Sequence, residues 1–425
     1  MNKPEKLSVA AGQLQVPAVP IIPFIAGDGI GPEIWQAARQ VFDAAVKRVY
    51  GNERRVEWKQ ELAGQVAYEQ TGSWLPAETL QALRTYLVAI KGPLTTPVGE
   101  GHRSINVTLR QQLDLFACVR PVRYFAGTPS PVKHPERVDI TVFRENTEDI
   151  YAGIDFAAHT SGAQALLTLL QAQQQADKVR FPQTAAFALK PISSEGSKRI
   201  VTAALEYALA QGKQTVTLVH KGNIMKKTEG GFKQWGYEAA AAFGEQVFTT
   251  PEYEQIWQQH GAAAAQAAQQ EAVRAGKVIV NDIIADNFFQ QALLQPEKFS
   301  VVVTTNLNGD YISDALAAQV GGIGISPGAN INYQTKRALF EATHGTAPQF
   351  AGQNKLNPTS LILSGAMLFE YLGWTPVAEL LRSSIGQAIA QQHVTMDFAR
   401  ALPAAVELST SGFAAYLTEL IAQSK

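Results

Sequence analysis

Short apolar runs recur along the chain, each bounded by glycine, proline or polar clusters: Val19 to Ala26, Tyr86 to Ile90, Val138 to Phe143, Thr215 to Val219 and Ser300 to Thr304. Their length and bounding residues predict buried strands. Between them apolar residues return at helical spacing, as in Ser197 to Gln211. Such alternation predicts an α/β fold with extensive sheet. The first run leads into Gly27-Asp-Gly-Ile-Gly31, after which Pro32 suits the first position of a helix. Gly321-Gly-Ile-Gly324, followed by Ser-Pro-Gly328, predicts tight turns. The strongest interruptions are Gly127 to Pro135 and the Ala/Gln tract Gly261 to Ala272, and the tract is read as a surface helix because it is built from helix formers. No repeat of 20 to 50 residues is evident.

Composition narrows the picture. The 425 residues are 46% hydrophobic, enough for a large core and two or three domains. With 36 basic and 37 acidic residues the formal net charge is -1, so no bulk field draws in nucleic acid or an anionic membrane, and any basic site must be local. The lone cysteine, Cys118, excludes an intrachain disulfide framework and fits a reducing compartment. The N-terminal residues carry no apolar stretch of secretory length, and Val16 to Ile25 is too short to span a bilayer, so a soluble cytoplasmic protein is expected.

Several residue groups carry candidate chemistry. Asp310 and Asp314 lie four apart just after an apolar run; on a helix they would share one face, as hard oxygen ligands for Mg²⁺ or Mn²⁺ or as the acids ordinary at a helix start. Arg110, Arg120 and Arg144 could converge on a polycarboxylate through bidentate guanidinium contacts, or could be solvated surface charges. Ser104 and Asn106 would add neutral donors on one side of a strand or loop, or simply cap. Lys221 and Tyr151 suit proton transfer in a shielded cleft, or the surface. The Gly27 loop lacks the G-x-G-x-x-G spacing of a dinucleotide fingerprint. His344-Gly-Thr-Ala-Pro348 could present backbone N–H groups and an imidazole to a nucleotide, or form a plain loop.

Taken together, Ile25-Ala-Gly-Asp-Gly-Ile-Gly-Pro32, Lys91-Gly-Pro-Leu-Thr-Thr-Pro97, Arg103-Ser-Ile-Asn-Val-Thr-Leu-Arg110, Phe143-Arg-Glu-Asn-Thr-Glu-Asp-Ile-Tyr-Ala-Gly153, Val219-His-Lys-Gly-Asn-Ile-Met225, Asn306-Leu-Asn-Gly-Asp-Tyr-Ile-Ser-Asp314 and His344-Gly-Thr-Ala-Pro348 resemble the β-decarboxylating dehydrogenases, and within them the bacterial isocitrate dehydrogenases. The motifs stand in family order over nearly the whole chain. The resemblance implies an isocitrate/isopropylmalate dehydrogenase-like fold, not a Rossmann domain: a large α/β domain from residues 1–115 and 305–425, a small one from 116–304, and a dimer clasp at about 150–195. It implies that Ser104, Asn106, Arg110, Arg120 and Arg144 hold substrate carboxylates, that Tyr151 donates a proton, and that Asp310 and Asp314 bind Mg²⁺ or Mn²⁺ together with Asp286 and beside Lys221 of a second copy. Ser104 and Asn106 replace the apolar residues that isopropylmalate enzymes carry there, which points to isocitrate. Relatives acting on homoisocitrate, isopropylmalate or tartrate, and silent regulatory subunits, are the alternatives. The coenzyme is expected along Lys91, Thr95 and Thr96, the His344, Gly345, Thr346 and Ala347 loop, Asn357 and Arg400.

The coenzyme pocket departs from its NADP-dependent relatives. Gln349 and Phe350 stand where those carry Lys-Tyr, Met396 replaces a tyrosine and Gln295 an arginine, while Arg400 remains. The aspartate that NAD-specific relatives place at position 349 is absent too, so NADP is expected as the family default, with NAD as the alternative.

Overall fold

The computed structural model describes residues 3–95 and 104–424. Its centre is one sheet of eleven strands, in the order Val247–Thr249, Val278–Ile284, Thr215–His220, Val301–Thr304, Asp139–Glu145, Ala117–Arg123, Pro327–Asn332, Arg337–Ala342, Val88–Lys91, Ile21–Ile25 and Glu57–Gln60. The first five strands in that order run parallel to their neighbours, and so do the last four. Where the two blocks meet, Ala117–Arg123 and Pro327–Asn332 pair antiparallel with each other and with their outer neighbours. One block is therefore drawn from both ends of the chain and the other from its middle. The continuous apolar runs suit strands covered on both faces, as parallel sheets require.

Each block has its own core. In the first, Phe24 stacks on Trp35 at 4.2 Å between centroids, and Trp35 meets Trp58 edge-on at 5.2 Å. The helix Thr359–Tyr371 is apolar on nearly every side and buries Leu361, Ile362, Leu363, Leu368 and Phe369, so it runs through this core rather than over it. In the second, Val138, Ile140 and Val142 pack with Phe288, Phe299 and Val302. Ile312, Leu316 and Val320 join them, which lays the helix Asn306–Gln319 on the middle block. Burying each such side chain contributes about 1.5–3 kcal/mol.

Most expected elements form. The helix Ser194–Ala210 replaces the shorter Ser197 to Gln211 reading and gains a Ser193 cap that accepts from Gly196 N. The Ala/Gln tract is the helix Ala262–Arg274, with Ala265 and Ala272 buried. Tyr86 ends the helix Ala77–Tyr86 instead of opening a strand; Leu87 turns the chain at φ 67°, and the strand starts at Val88. Gly127 to Pro135 lies in the connection between two antiparallel strands of the one large sheet. Residues 150–195 hold a two-stranded antiparallel pair, Asp155–Phe156 with Phe187–Ala188, and the helix Ser161–Ala172. Their exposed Ile150, Ile154, Leu169, Phe181 and Leu189 are more apolar surface than a solvated segment normally shows. Among the described residues no helix is long and apolar enough to cross a membrane.

Candidate active site

Strand alternation builds the site at the antiparallel junction. Alternate residues of a strand point to opposite faces, and Arg120, Arg144 and Glu341 line the same pocket of about 270 Å³. Lys91 closes its floor, Ser104, Asn106 and Arg110 approach from the helix that follows Ser104, and Tyr151 and Asp310 complete the far wall. Ser104 occupies the N-cap position of Ile105–Gln112, as the capping alternative has it, whereas Asn106 lies in the first turn of that helix instead of on a strand or loop.

Charge is arranged in two tiers. Glu341, 4% exposed, accepts from Lys91 Nζ at 2.8 Å, Arg110 Nη2 at 2.9 Å and Asn330 Nδ2 at 2.8 Å. Burial acts to raise its pKa, but Lys91 and Arg110 hold it well below the usual carboxylate range. One carboxylate thus fixes two cations, and the surplus positive charge faces the cavity. Arg120 Nη1 donates to Ser313 Oγ at 2.6 Å and to Asp314 Oδ1 at 3.3 Å. Arg144 Nε donates to Asn306 Oδ1 at 2.8 Å, and its Nη1 pairs with Asp310. Buried Arg110 Nε, Arg120 Nε and Asn106 Oδ1 have no partner among the described residues, as expected of a pocket built for a polar ligand.

Tyr151 Oη donates to Asp310 Oδ2 at 2.8 Å, and its ring lies 5.0 Å from the Arg144 guanidinium carbon. Burial, reinforced by the Asp310 carboxylate against the opposing pull of Arg144, pushes the phenol up to about 12, so it stays protonated through the neutral range. Asp310 and Asp314 are four apart on the helix Asn306–Gln319, as the sequence suggests. Burial acts to raise the pKa of Asp310, but Arg144 keeps it low; Asp314 is raised, by burial and then by Asp310 despite Arg120.

Two loops rim the pocket. His344 and Gly345 line it, and His344 Nε2 is a buried atom without a partner among the described residues. Burial pushes the His344 pKa down, which favours the neutral ring. Thr95 donates its backbone N–H to Asp28 Oδ2 at 2.8 Å, whereas Thr96 lies outside the described residues. Asn357 accepts from Thr359 N and donates to Asp397, both at 3.0 Å. Arg400 is exposed, its Nη2 3.3 Å from Met396 Sδ, and Gln349 and Gln295 are exposed too.

The Gly27–Gly31 loop binds these rims together. Ile30 N donates to Thr346 O at 3.0 Å, and a Cβ on Gly29, at φ 58°, would lie 2.1 Å from that oxygen. A Cβ on Gly27 would lie 2.4 Å from Pro93 O. Asp28 accepts from Gln65 N through its other oxygen at 2.8 Å. The glycines serve close backbone approach, not a phosphate fingerprint.

Lys221 and Asp286 stand apart from all this. They form an ion pair with each other, their side chains 32% and 69% exposed, and neither lines the pocket. Among the described residues no three His, Cys, Asp or Glu side chains gather as a metal site. Asp282 is committed elsewhere: it accepts from Tyr237 Oη at 2.6 Å and pairs with His220 and Lys233 at 3.0 Å each, and against burial these partners lower it to about 2.

The profile of the isocitrate/isopropylmalate dehydrogenase family matches residues 21–416. The chain belongs to this family. It is 58% identical over 411 residues to the NADP isocitrate dehydrogenase of Staphylococcus epidermidis, covering 96% of this chain and 97% of that one. It is also 58% identical over 398 residues to that of Streptococcus mutans, covering 94% and 95%. The crystal structure of isocitrate dehydrogenase from Methylococcus capsulatus superposes with a TM-score of 0.74 at 35% identity, over 95% of this chain and 99% of that one. Isocitrate/isopropylmalate dehydrogenase family membership accounts for the α/β architecture with its large central sheet. Sequence reasoning missed the anchors beneath the site, Glu341 and Asp28. The signal available for Glu341 was an acid inside the apolar run Ala338-Leu-Phe-Glu-Ala342.

Proposed function

We propose that this chain oxidises isocitrate and decarboxylates it to 2-oxoglutarate and carbon dioxide while reducing NADP. The observation that carries the reading is the convergence of Arg110, Arg120 and Arg144 with Ser104 and Asn106 on a pocket that also holds a protonated Tyr151. Three fixed guanidiniums suit a tri-anion, and the two neutral side chains reach its third carboxylate.

Asp310 and Asp314 would hold Mg²⁺ or Mn²⁺, with Asp286 of a second copy as the third carboxylate; this all-oxygen donor set fits a hard divalent cation. When bound, the cation supplies Lewis acidity at the substrate hydroxyl and the carbonyl that replaces it. Lys91, Thr95, Thr96, His344, Gly345, Thr346, Ala347, Asn357 and Arg400 would hold the coenzyme, and the unpartnered His344 Nε2 is a donor or acceptor available to it. Lys221 of a second copy takes the proton of the C2 hydroxyl as hydride leaves C2. After the β-carboxylate departs as CO₂, Tyr151 returns a proton to C3, and Asp310 holds the phenol in place for that transfer.

The exposed Lys221–Asp286 pair and the apolar surface of residues 150–195 support a homodimer with shared sites and a clasp in that segment. The two sheet blocks support a large domain from 1–115 and 305–425 and a small one from 116–304, and the composition supports a cytoplasmic location. The deciding experiment is an assay of purified protein with isocitrate and Mn²⁺ and each coenzyme in turn. Turnover of isopropylmalate or homoisocitrate in preference to isocitrate overturns the substrate. A kcat/KM preference for NAD above about tenfold, near 1.4 kcal/mol, overturns the coenzyme.

A further inference from the structure

Beneath the pocket lies a charge cluster that no step above uses. Asp149 and Glu229 are both 0% exposed, and Lys190 Nζ reaches both, at 2.6 Å and 2.9 Å. Two buried anions on one cation persist only where hydrogen bonds satisfy the remaining oxygens. Here those donors belong to the functional elements. Asp149 accepts from Leu307 N at 2.9 Å, and Glu229 accepts from Thr305 Oγ1 and Asn308 Nδ2, both at 2.9 Å, so the start of the Asp310 helix is pinned from both sides. Its N-terminal dipole adds positive character where the second anion needs it. Glu229 Oε2 also accepts from Lys221 N at 2.6 Å. Asp149 stands two residues before Tyr151 at φ 73°, a left-handed conformation an aspartate holds only when its surroundings impose it.

We propose that Lys190 is a positioning residue that clamps the Tyr151 loop, the start of the Asp310 helix and the strand end bearing Lys221 into one block. Resting on the shared-site reading above, it makes each copy set one half of its own site and one half of its neighbour's. Lys190 closes the 150–195 segment: Leu189 N donates to Ile154 O at 2.8 Å and Asp149 N to Pro191 O at 3.0 Å. Assembly through that segment and alignment of the proton-transfer groups therefore meet at one ammonium. Arg110 is fixed independently by Glu341, and Arg120 meets Ser313 and Asp314 more than a turn beyond the pinned start of the helix; only Arg144, on Asn306 and Asp310, leans on that start, so the clamp governs turnover more than substrate binding.

The test splits those two quantities. Lys190→Met is expected to lower kcat on the order of 10²-fold while the calorimetric Kd for isocitrate with Mn²⁺ moves less than about threefold. Should Lys190→Met fail to fold, Glu229→Gln leaves Lys190 and Asp149 as a one-to-one pair and is expected to show the same split at about tenfold. Equal changes in kcat and Kd, or no change in kcat, overturn the proposal. Mixed dimers separate it from the reading it rests on. Tyr151→Phe mixed with Lys221→Met restores one intact site per heterodimer if sites are shared; no recovery there sinks the shared site itself. Given that recovery, Lys190→Met must recover with neither partner, and recovery with either one overturns the double role.

Discussion

The pocket and the Lys221–Asp286 pair are opposite kinds of structure. In the pocket, Arg110, Arg120 and Arg144 are 8%, 6% and 1% exposed and each rests on a fixed neighbour; the side chains of Lys221 and Asp286 are more open and pair with each other. A buried cation without its anion is costly, so the binding half must be completed by the chain itself. An exposed pair contributes little to stability and separates cheaply, which suits groups that have to serve another copy. On the proposed reading, binding is built within one chain, and proton removal is left for assembly with a second copy.

The largest effects should come from crossing that divide. Tyr151→Phe on the buried side and Lys221→Met on the open side should each reduce kcat by about 10²–10⁴-fold with unfolding midpoints near the parent. Unchanged turnover in either variant removes that residue from proton transfer.

Stability should then separate the halves. Glu341→Ala strands Lys91 and Arg110 and should cost about 3–5 kcal/mol in denaturant unfolding. Asp286→Asn, on the surface, should stay within about 0.5 kcal/mol of the parent while needing a higher Mn²⁺ concentration for half-maximal activity. If the two variants unfold alike, the contrast between prebuilt and open halves is wrong. Acid titration probes the ground behind Lys221. The folded pKa of Asp282 is depressed from 3.8 to about 2. Its contribution is therefore fully present above pH 4 and is lost as pH falls toward 2, amounting to about 2 kcal/mol. Asp282→Asn should flatten that interval of the stability curve, and an unaltered curve would show that the His220–Tyr237–Lys233 cluster does not hold the charged form. The smallest effect lies at the rim: Gln349→Lys should lower KM for NADP by about fivefold, near 1 kcal/mol, without moving KM for isocitrate.

Much of this was legible in the sequence. Apolar runs placed the strands because buried parallel strands must be continuously apolar. Asp310 and Asp314 announced themselves by helical spacing, and the arginines by their place among the motifs. What stayed hidden depends on contacts between distant segments. Glu341 reads as one more surface acid until Arg110, 231 positions away, is seen against it. Lys190 is an unremarkable lysine before a proline until Asp149 and Glu229 close around it. The helix that carries Asn106 was not foreseen because a short amphipathic stretch of eight residues carries little periodic signal.

The riveting of the Gly27–Gly31 turn to Pro93 and Thr346 has a consequence for how such an enzyme can change its redox currency. With no room for even a methyl group between these main chains, the spacing between the two loops that rim the pocket is frozen. On the proposed reading, a switch of nucleotide would then be written in side chains at positions such as 349, 396 and 400, of which Gln349 and Arg400 are exposed and Met396 half-buried, where single replacements are tolerated.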